Sequence, residues 1–347
     1  MSKLTAFVGT YTNGDSKGIY RFSFDPTSGV IDEPELVAEV DGPTYLTVSE
    51  DNQFLYAVAK NAEGGGIAAF KIDEKEQLQL LNQSVSDGAS PCHVSLNKKG
   101  DLLFSANYHR GQADVYTLND NGEITENTAT ITHTGSGPNE KRQEKAHAHY
   151  AGLTPDGKYV AVADLGTDKI AVYQLENNEL LPHIEVDVKP GSGPRHIAFH
   201  PNGKFAYVNA ELSSELIVFA YNEGQFKEIQ TVGTLPDDFL GESTSGALHL
   251  SKDGRFVYVS NRGHDSIYVF EIDQDSGEVE YRSSVTSGGE HPRDFILDPS
   301  EKYLFAANKD TSNIVMYVRD DNTGALTKTE KEFALPNPVC IKFLHYK

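Results

Sequence analysis

The chain has 347 residues, of which 38% are hydrophobic, and its 51 Asp and Glu residues outnumber its 30 Lys and Arg residues to give a net charge of −21. Such an excess of negative charge argues against nucleic acid and against an anionic membrane as partners. The N-terminus has no signal-peptide pattern and the chain has no apolar run long enough to span a bilayer, so we expect a cytoplasmic protein. Two cysteines, Cys92 and Cys340, do not make a disulfide framework.

The first predicted elements are three strands near the N-terminus, at residues 5–11, 18–24 and 35–40. Their apolar residues alternate with polar ones, and Gly, Asn and Asp separate them. This period of two predicts half-buried antiparallel strands. No segment of the sequence carries a convincing helical period with caps.

From residue 51 onward a turn followed by a β-branched and aromatic strand recurs six times. The three closest copies are Asp156-Gly-Lys-Tyr-Val-Ala-Val, Asn202-Gly-Lys-Phe-Ala-Tyr-Val and Asp253-Gly-Arg-Phe-Val-Tyr-Val. The equivalent turn positions are 52, 100, 157, 203, 254 and 301, which lie 48, 57, 46, 51 and 47 residues apart. A period of this size made of short strands predicts the blades of a β-propeller.

The two ends of the chain account for one further blade. Residues 338–343 look like a first strand with no blade after it, and the N-terminal strands look like the second, third and fourth strands of the same blade. Joining them closes the ring and removes the exposed sheet edges. We therefore predict an all-β protein, one domain over residues 1–347, folded as a seven-bladed propeller of four-stranded antiparallel blades.

The repeat also predicts which residues face the central channel, because the first strand of each propeller blade lines it. One ring of equivalent positions contains Thr44, Cys92, His149, Arg195, Gly246, Arg293 and Val339. A second ring, at the ends of the second strands, contains Tyr11, Lys60, Tyr108, Leu165, Glu211, Arg262 and Lys309. Alternation along the strand predicts that His93 and His196, each next to a channel position, point away from the channel.

These two rings gather basic side chains in one concave place of an acidic protein. Glu211 is their single carboxylate, among several Arg, Lys and His residues. Because arginine forks suit carboxylate and phosphate groups, the rings predict a pocket that binds a small anion.

One step of the repeat, between positions 100 and 157, is 57 residues long and so exceeds the others. Its surplus residues, 133–149, are polar and Gly-rich and lead directly into the strand of His149. Long loops at the mouth of a scaffold often carry function. His147 and His149 fall on one face of a strand and could bind a metal, but no third ligand is evident, so we predict neither a metal nor a cofactor.

Several chain segments resemble the motifs of the seven-bladed propeller lactonases. The run Gly-Ser-Gly-Pro-Asn-Glu-Lys-Arg-Gln-Glu-Lys-Ala-His-Ala-His at 135–149 resembles the family signature. Pro194-Arg-His196, Asn209-Ala-Glu211 and Ser260-Asn-Arg262 resemble its later motifs. The resemblance extends over essentially the whole chain. The family includes cycloisomerase-type 6-phosphogluconolactonases and is similar to carboxymuconate lactonizing enzymes.

The resemblance implies hydrolysis of 6-phosphoglucono-1,5-lactone to 6-phosphogluconate, in the oxidative pentose phosphate pathway and without a metal. It assigns catalysis to four residues that already lie on the two rings, namely His149, Arg195, Glu211 and Arg262. We predict His149 or Glu211 as general base, with His149 favoured because the cations around Glu211 should lower its pKa and weaken it as a base. The predicted substrate-binding residues are Lys60, His147, Arg293 and Lys309.

Two other functions fit the same sequence. A carboxymuconate-type lactonizing enzyme could hold a polycarboxylate in the same pocket. A propeller that only binds a partner would instead concentrate its chemistry on the rim. The predicted partner is a small anionic sugar lactone, and the sequence leaves the choice between monomer and homodimer open.

Overall fold

The computed structural model describes residues 3–346, and all the regular secondary structure in this range is β-strand. The described part of the chain has no helix that could cross a membrane. The strands form seven antiparallel sheets, which we call blades 1 to 7. The predicted all-β seven-bladed propeller is therefore confirmed.

The blades follow one another in chain order around the ring, except that blade 1 also takes the last strand. Blade 1 consists of β1 (Leu4–Thr10), β2 (Gly18–Asp25), β3 (Val30–Ile31), β4 (Glu35–Glu39) and β29 (Pro338–Phe343). Blade 2 consists of β5 (Leu46–Val48), β6 (Phe54–Asn61), β7 (Gly64–Ile72) and β8 (Leu78–Ser86). Blade 3 consists of β9 (His93–Leu96), β10 (Leu102–Asn107), β11 (Gln112–Leu118) and β12 (Ile124–Thr132). Blade 4 consists of β13 (Ala148–Leu153), β14 (Tyr159–Asp164), β15 (Lys169–Glu176) and β16 (Glu179–Asp187).

The remaining three blades repeat the same order. Blade 5 consists of β17 (Pro194–Phe199), β18 (Phe205–Ala210), β19 (Glu215–Asn222) and β20 (Gln225–Gly233). Blade 6 consists of β21 (Thr244–Leu250), β22 (Phe256–Arg262), β23 (Ser266–Ile272) and β24 (Val279–Thr286). Blade 7 consists of β25 (Pro292–Leu297), β26 (Tyr303–Asn308), β27 (Asn313–Arg319) and β28 (Leu326–Ala334).

Blade 1 closes the ring as the sequence predicts. The C-terminal strand β29 pairs antiparallel with β1, which in turn pairs with β2. The outer position, predicted as one strand at 35–40, is shared by β4 and the two-residue β3, both of which pair with β2. The turn positions used to measure the repeat all have positive φ, for example 72° at Gly157 and 58° at Glu301, so one turn geometry recurs.

The hydrophobic core is divided among the spaces between blades. Seven clusters of buried apolar side chains each join two successive blades, so the packing continues from every blade to the next. Between blades 3 and 4, for example, Phe104 and Val115 pack with Val162 and Tyr173. Since burial of apolar area is the main stabilising term, each blade depends on its two neighbours.

A recurring irregularity in the innermost strands decides which residues face this channel. In blades 4, 5 and 7 the pairing of the first strand with the second skips one residue, which is His149, Arg195 or Arg293 respectively. Val339 is skipped in the same way in blade 1. Each is a β-bulge, in which an extra residue interrupts the ladder and re-aims the side chains around it. Three of the four bulged residues are predicted site residues.

Candidate active site

One end of the channel opens into a cavity of about 1060 Å³. Every blade contributes to its lining, because the ends of the first and second strands of all blades converge there. The lining includes Tyr11, Lys60, Cys92, Tyr108, Arg142, His149, Glu211, Arg262 and Arg293. The structure thus brings together five of the site residues predicted from sequence, namely Lys60, His149, Glu211, Arg262 and Arg293.

Glu211 is the centre of the site and is held by three arginines. It follows β18 directly, and its side chain is only 3% exposed. Its Oε2 lies 3.0 Å from Nε of Arg195 and 2.8 Å from Nη2 of Arg262. Its Oε1 lies 2.5 Å from Nη2 of Arg142. One carboxylate thus faces three guanidinium groups from three separate parts of the chain.

Two of these arginines are fixed by the backbone of blade 6. Arg195 donates from Nη1 to the carbonyl oxygen of Gly246 at 2.6 Å, and Arg262 donates from Nη2 to that of Ser245 at 2.5 Å. Burial, with the charges of Arg262 and Arg293, lowers the pKa of Arg195 to about 10, which leaves it protonated near neutral pH. The buried Nε of Arg262 has no hydrogen-bond acceptor among residues 3–346.

The arginines determine the protonation state of Glu211. Burial alone would raise the pKa of this carboxyl, but the charges of Arg262 and Arg195 outweigh it and hold the pKa well below its usual range. Glu211 is therefore ionised across the physiological range and is a weak base, which is the direction that the sequence predicts.

His149 lies beside this carboxylate in the wall of the cavity. It is almost fully buried, and its Nδ1 has no hydrogen-bond partner in the described part of the chain. Burial, followed by the charge of Arg195, lowers its pKa well below the ordinary value of 6.5. The imidazole is consequently neutral near pH 7 and can accept a proton.

Arg142 is a site residue that the sequence reasoning missed. It lies on the long loop before β13, and it contacts both Glu211 and, at 3.4 Å, the hydroxyl oxygen of Tyr108. The loop stands out in the sequence for its surplus length, and Arg142 is the one arginine of residues 133–149. Its pairing with Glu211 spans 69 positions of the sequence, and no local pattern reveals it.

Arg293 is a cation of the cavity with no counter-charge. It makes no ion pair with any residue in the range 3–346, and its guanidinium carbon lies 5.4 Å from the ring centroid of Tyr11. Lys60 also lines the cavity and its side chain is exposed. Both residues therefore present positive charge toward any molecule that enters.

Two residues predicted to bind substrate do not line the cavity. Lys309 pairs with Asp310, with Nζ 2.7 Å from Oδ1, and lies beside Tyr11. His147 is buried behind Tyr108, with the two rings stacked at 4.1 Å, and its Nε2 lies 3.1 Å from a carboxylate oxygen of Glu144. His147 therefore supports Tyr108. No group of three or more His, Cys, Asp or Glu residues within 3–346 could hold a metal ion.

The predicted orientation of His93 and His196 is wrong. Their rings lie 5.5 Å apart, and both contact Tyr45, at 4.5 Å from His93 and 5.7 Å from His196. His196 also lies 5.3 Å from His149. These residues lie in or directly before the innermost strands of blades 2 to 5, and the contact between His93 and His196 joins two blades that are not neighbours, so the rings meet at the axis of the channel. In blade 5 the bulge at Arg195 interrupts strict alternation, which allows two successive residues to face the channel.

These buried histidines predict loss of stability in acid. Burial, then Arg195, lowers the pKa of His196 well below 6.5, and burial also lowers the pKa of His93. The unfolded chain therefore binds more protons than the folded one, so stability falls as pH drops below 6.5. When the pH falls from 7 to 5, wild type should lose more unfolding free energy than His196→Gln does, by up to about 2 kcal/mol.

Denaturant unfolding at the two pH values measures this difference. The matched control is His183→Gln, which removes an exposed histidine and should lose as much stability as wild type. Equal losses for His196→Gln and wild type would show that folding does not lower the pKa of His196.

Comparison with known proteins agrees with this architecture. The family model described as "Lactonase, 7-bladed beta-propeller" matches residues 5–343. The chain is 46% identical to a 6-phosphogluconolactonase of Bacillus subtilis (strain 168) over 348 aligned residues, which cover 99% of each chain.

Solved structures of similar proteins superpose over nearly the whole chain. A periplasmic gluconolactonase from Pseudomonas aeruginosa is 31% identical with a TM-score of 0.93, and 99% of each chain is covered. A protein from Lactobacillus plantarum is 37% identical with a TM-score of 0.95, covering 99% of this chain and 100% of the other. The chain therefore belongs to the seven-bladed β-propeller lactonase family.

Proposed function

We propose that this protein hydrolyses 6-phosphoglucono-1,5-lactone to 6-phosphogluconate, the lactone-opening step of the oxidative pentose phosphate pathway. The observation that carries the proposal is the buried carboxylate of Glu211, held among three arginines beside a neutral His149. The name of the Bacillus subtilis relative, a 6-phosphogluconolactonase, supports the choice of substrate.

The charge of the cavity lining supports an anionic substrate. Four lining residues are Lys or Arg, namely Lys60, Arg142, Arg262 and Arg293, whereas two are carboxylates, Asp41 and Glu211. The protein as a whole carries −21. A local excess of positive charge in a concave site concentrates anions against that background.

In the proposed reaction, water attacks the lactone carbonyl carbon while His149 accepts the proton that the water loses. Glu211 orients this water and stabilises the imidazolium. The carbonyl oxygen becomes an oxyanion that Arg262 in the cavity wall stabilises, with the positive charge of the buried Arg195 behind it; such a contribution is often the largest in acyl transfer. When the tetrahedral intermediate collapses, the bond to the ring oxygen breaks and His149 returns the proton to that oxygen. The new carboxylic acid then ionises to the carboxylate of the product.

An assay with freshly generated 6-phosphoglucono-1,5-lactone tests the proposal. The lactone should disappear faster than it does spontaneously, and His149→Ala should remove most of the acceleration. A wild-type rate equal to the spontaneous rate would contradict the proposal. Turnover of a carboxylated muconolactone in its place would favour the lactonizing enzyme, and no turnover of either would favour the binding module.

Arg293 is expected to bind the substrate phosphate, because it lines the cavity without a counter-charge. Arg293→Met should raise KM for the phosphorylated lactone by about 10- to 100-fold, the equivalent of one charge-assisted hydrogen bond, with a smaller change for glucono-1,5-lactone. Steady-state kinetics with both lactones measure this. Arg282→Met, which removes a surface arginine paired with Glu271, is the matched control. Equal effects of Arg293→Met on the two lactones would contradict the assignment.

A further inference from the structure

We propose that Arg142 changes its partner during catalysis. Its guanidinium group leaves Glu211 and binds the phosphate of the substrate. In this way the charge of the substrate itself frees one oxygen of Glu211 for the reaction. The inference rests on the proposed function and adds to it a specificity-determining residue that acts through the catalytic carboxylate.

The three arginines around Glu211 differ in their freedom to move. The side chains of Arg195 and Arg262 are 3% and 7% exposed, and each also donates to a backbone carbonyl oxygen. The side chain of Arg142 is 38% exposed, and its other contact is with the Tyr108 hydroxyl at 3.4 Å. Of the three, Arg142 therefore loses the least when it changes partner.

The exchange would affect one oxygen of Glu211 and leave the other in place. Oε2 contacts both Arg195 and Arg262, so the carboxylate remains anchored. Oε1 contacts Arg142 alone among the arginines. When Arg142 leaves, Oε1 becomes free to accept a hydrogen bond from the attacking water or from protonated His149.

The backbone of Arg142 is held in place, so that only its side chain would need to move. Its N–H donates to the carbonyl oxygen of Asn139 at 3.1 Å. The next residue, Gln143, is fully buried and donates from Nε2 to the carbonyl oxygen of Leu165 at 2.8 Å. Arg142 thus has a partly exposed side chain on a hydrogen-bonded turn, and it lines the same cavity as Lys60 and Arg293.

A phosphate is a strong competitor for this guanidinium. It carries a charge of about −1.5 to −2 near pH 7 and offers several acceptor oxygens, which suit the arginine fork. A lactone without a phosphate has no group that competes with Glu211 for Arg142. The phosphorylated lactone should therefore be turned over faster once bound, in addition to being bound more tightly.

The experiment compares two variants that each remove one positive charge from the same loop. Arg142→Met should lower kcat/KM for 6-phosphoglucono-1,5-lactone by about 10- to 100-fold, while kcat/KM for glucono-1,5-lactone stays within about 3-fold or rises, because Oε1 is then always free. Arg142→Lys, which keeps the charge but not the fork, should recover part of the loss. Lys141→Met, a change at an exposed neighbour outside the cavity, should match wild type on both lactones.

Two kinetic outcomes would overturn the exchange. Equal losses on both lactones in Arg142→Met would show that Arg142 only supports Glu211 structurally. Unchanged rates on both would show that it plays no part.

Calorimetric binding of 6-phosphogluconate separates this inference from the proposed function. Its dissociation constant should rise by about 10-fold or more in Arg142→Met relative to Lys141→Met. If wild type hydrolyses neither lactone, the proposed function fails, but this difference in affinity still supports phosphate binding by Arg142. Equal affinities of the two variants would overturn the inference whatever the activity.

Discussion

Glu211→Gln is expected to impair both folding stability and activity, and to lower the stability more than any other single change in the site. The substitution keeps the shape of the side chain but leaves Arg142, Arg195 and Arg262 without their counter-charge. Breaking a buried ion pair from one side typically costs about 3–5 kcal/mol, because the remaining charges stay buried and unpaired. We expect a loss of unfolding free energy in this range, measured by denaturant titration near pH 7.

The matched control for stability is Glu271→Gln, which breaks a surface pair in which Arg282 Nε lies 2.6 Å from the carboxylate. Exposed pairs contribute only about 0–1 kcal/mol, so this variant should be nearly as stable as wild type. Similar stabilities for the two Gln variants would show that the three arginines do not depend on Glu211.

The activity of Glu211→Gln tests whether this carboxylate takes part in the chemical step. If Glu211 orients the water and supports protonated His149, kcat should fall strongly, since an amide cannot stabilise the imidazolium. Full activity in a folded Glu211→Gln protein would exclude a role for this carboxylate in the chemical step. The low pKa of Glu211, held by its arginines, makes it the weaker of the two as a proton acceptor.

His149→Gln is expected to have the largest effect on the chemical step. Removing a general base typically lowers the rate by about 10²- to 10⁴-fold, and KM should change much less because the cations of the cavity remain. Steady-state kinetics on the phosphorylated lactone, corrected for spontaneous hydrolysis, measure this loss. His183→Gln, at an exposed position, is the control and should match wild type.

The pH profile gives a second test of His149. The base must be neutral to accept a proton, and burial and Arg195 lower its pKa, so activity should persist below pH 6.5 and fall only at more acid pH. An acid limb of kcat/KM at or above pH 6.5 would contradict the assignment of His149 as base. The profile should be recorded where the protein remains folded, since His93 and His196 make it less stable in acid.

The amino-acid sequence by itself determines the number of blades, the closure of the ring and most of the site. The turn followed by a β-branched and aromatic strand recurs along the sequence, and side chains in a strand alternate with a period of two. Counting from this turn therefore places His149, Glu211, Arg262 and Arg293 at one end of the channel. The turn and the strand period depend on residues that are close together in the sequence, so they are the same in every blade.

Only the tertiary structure decides the remaining features of the site. The bulge at Arg195 depends on which hydrogen bonds form between neighbouring strands, and it turns His196 to the axis against the predicted alternation. The pairing of Arg142 with Glu211 joins a loop before blade 4 to a strand end of blade 5. His147 lies in the signature run but is covered by Tyr108. In each case the deciding contact is with a residue distant in sequence. At the bulge, one extra residue in the ladder is enough to change which face a side chain takes, because side-chain direction in a strand reverses at every residue.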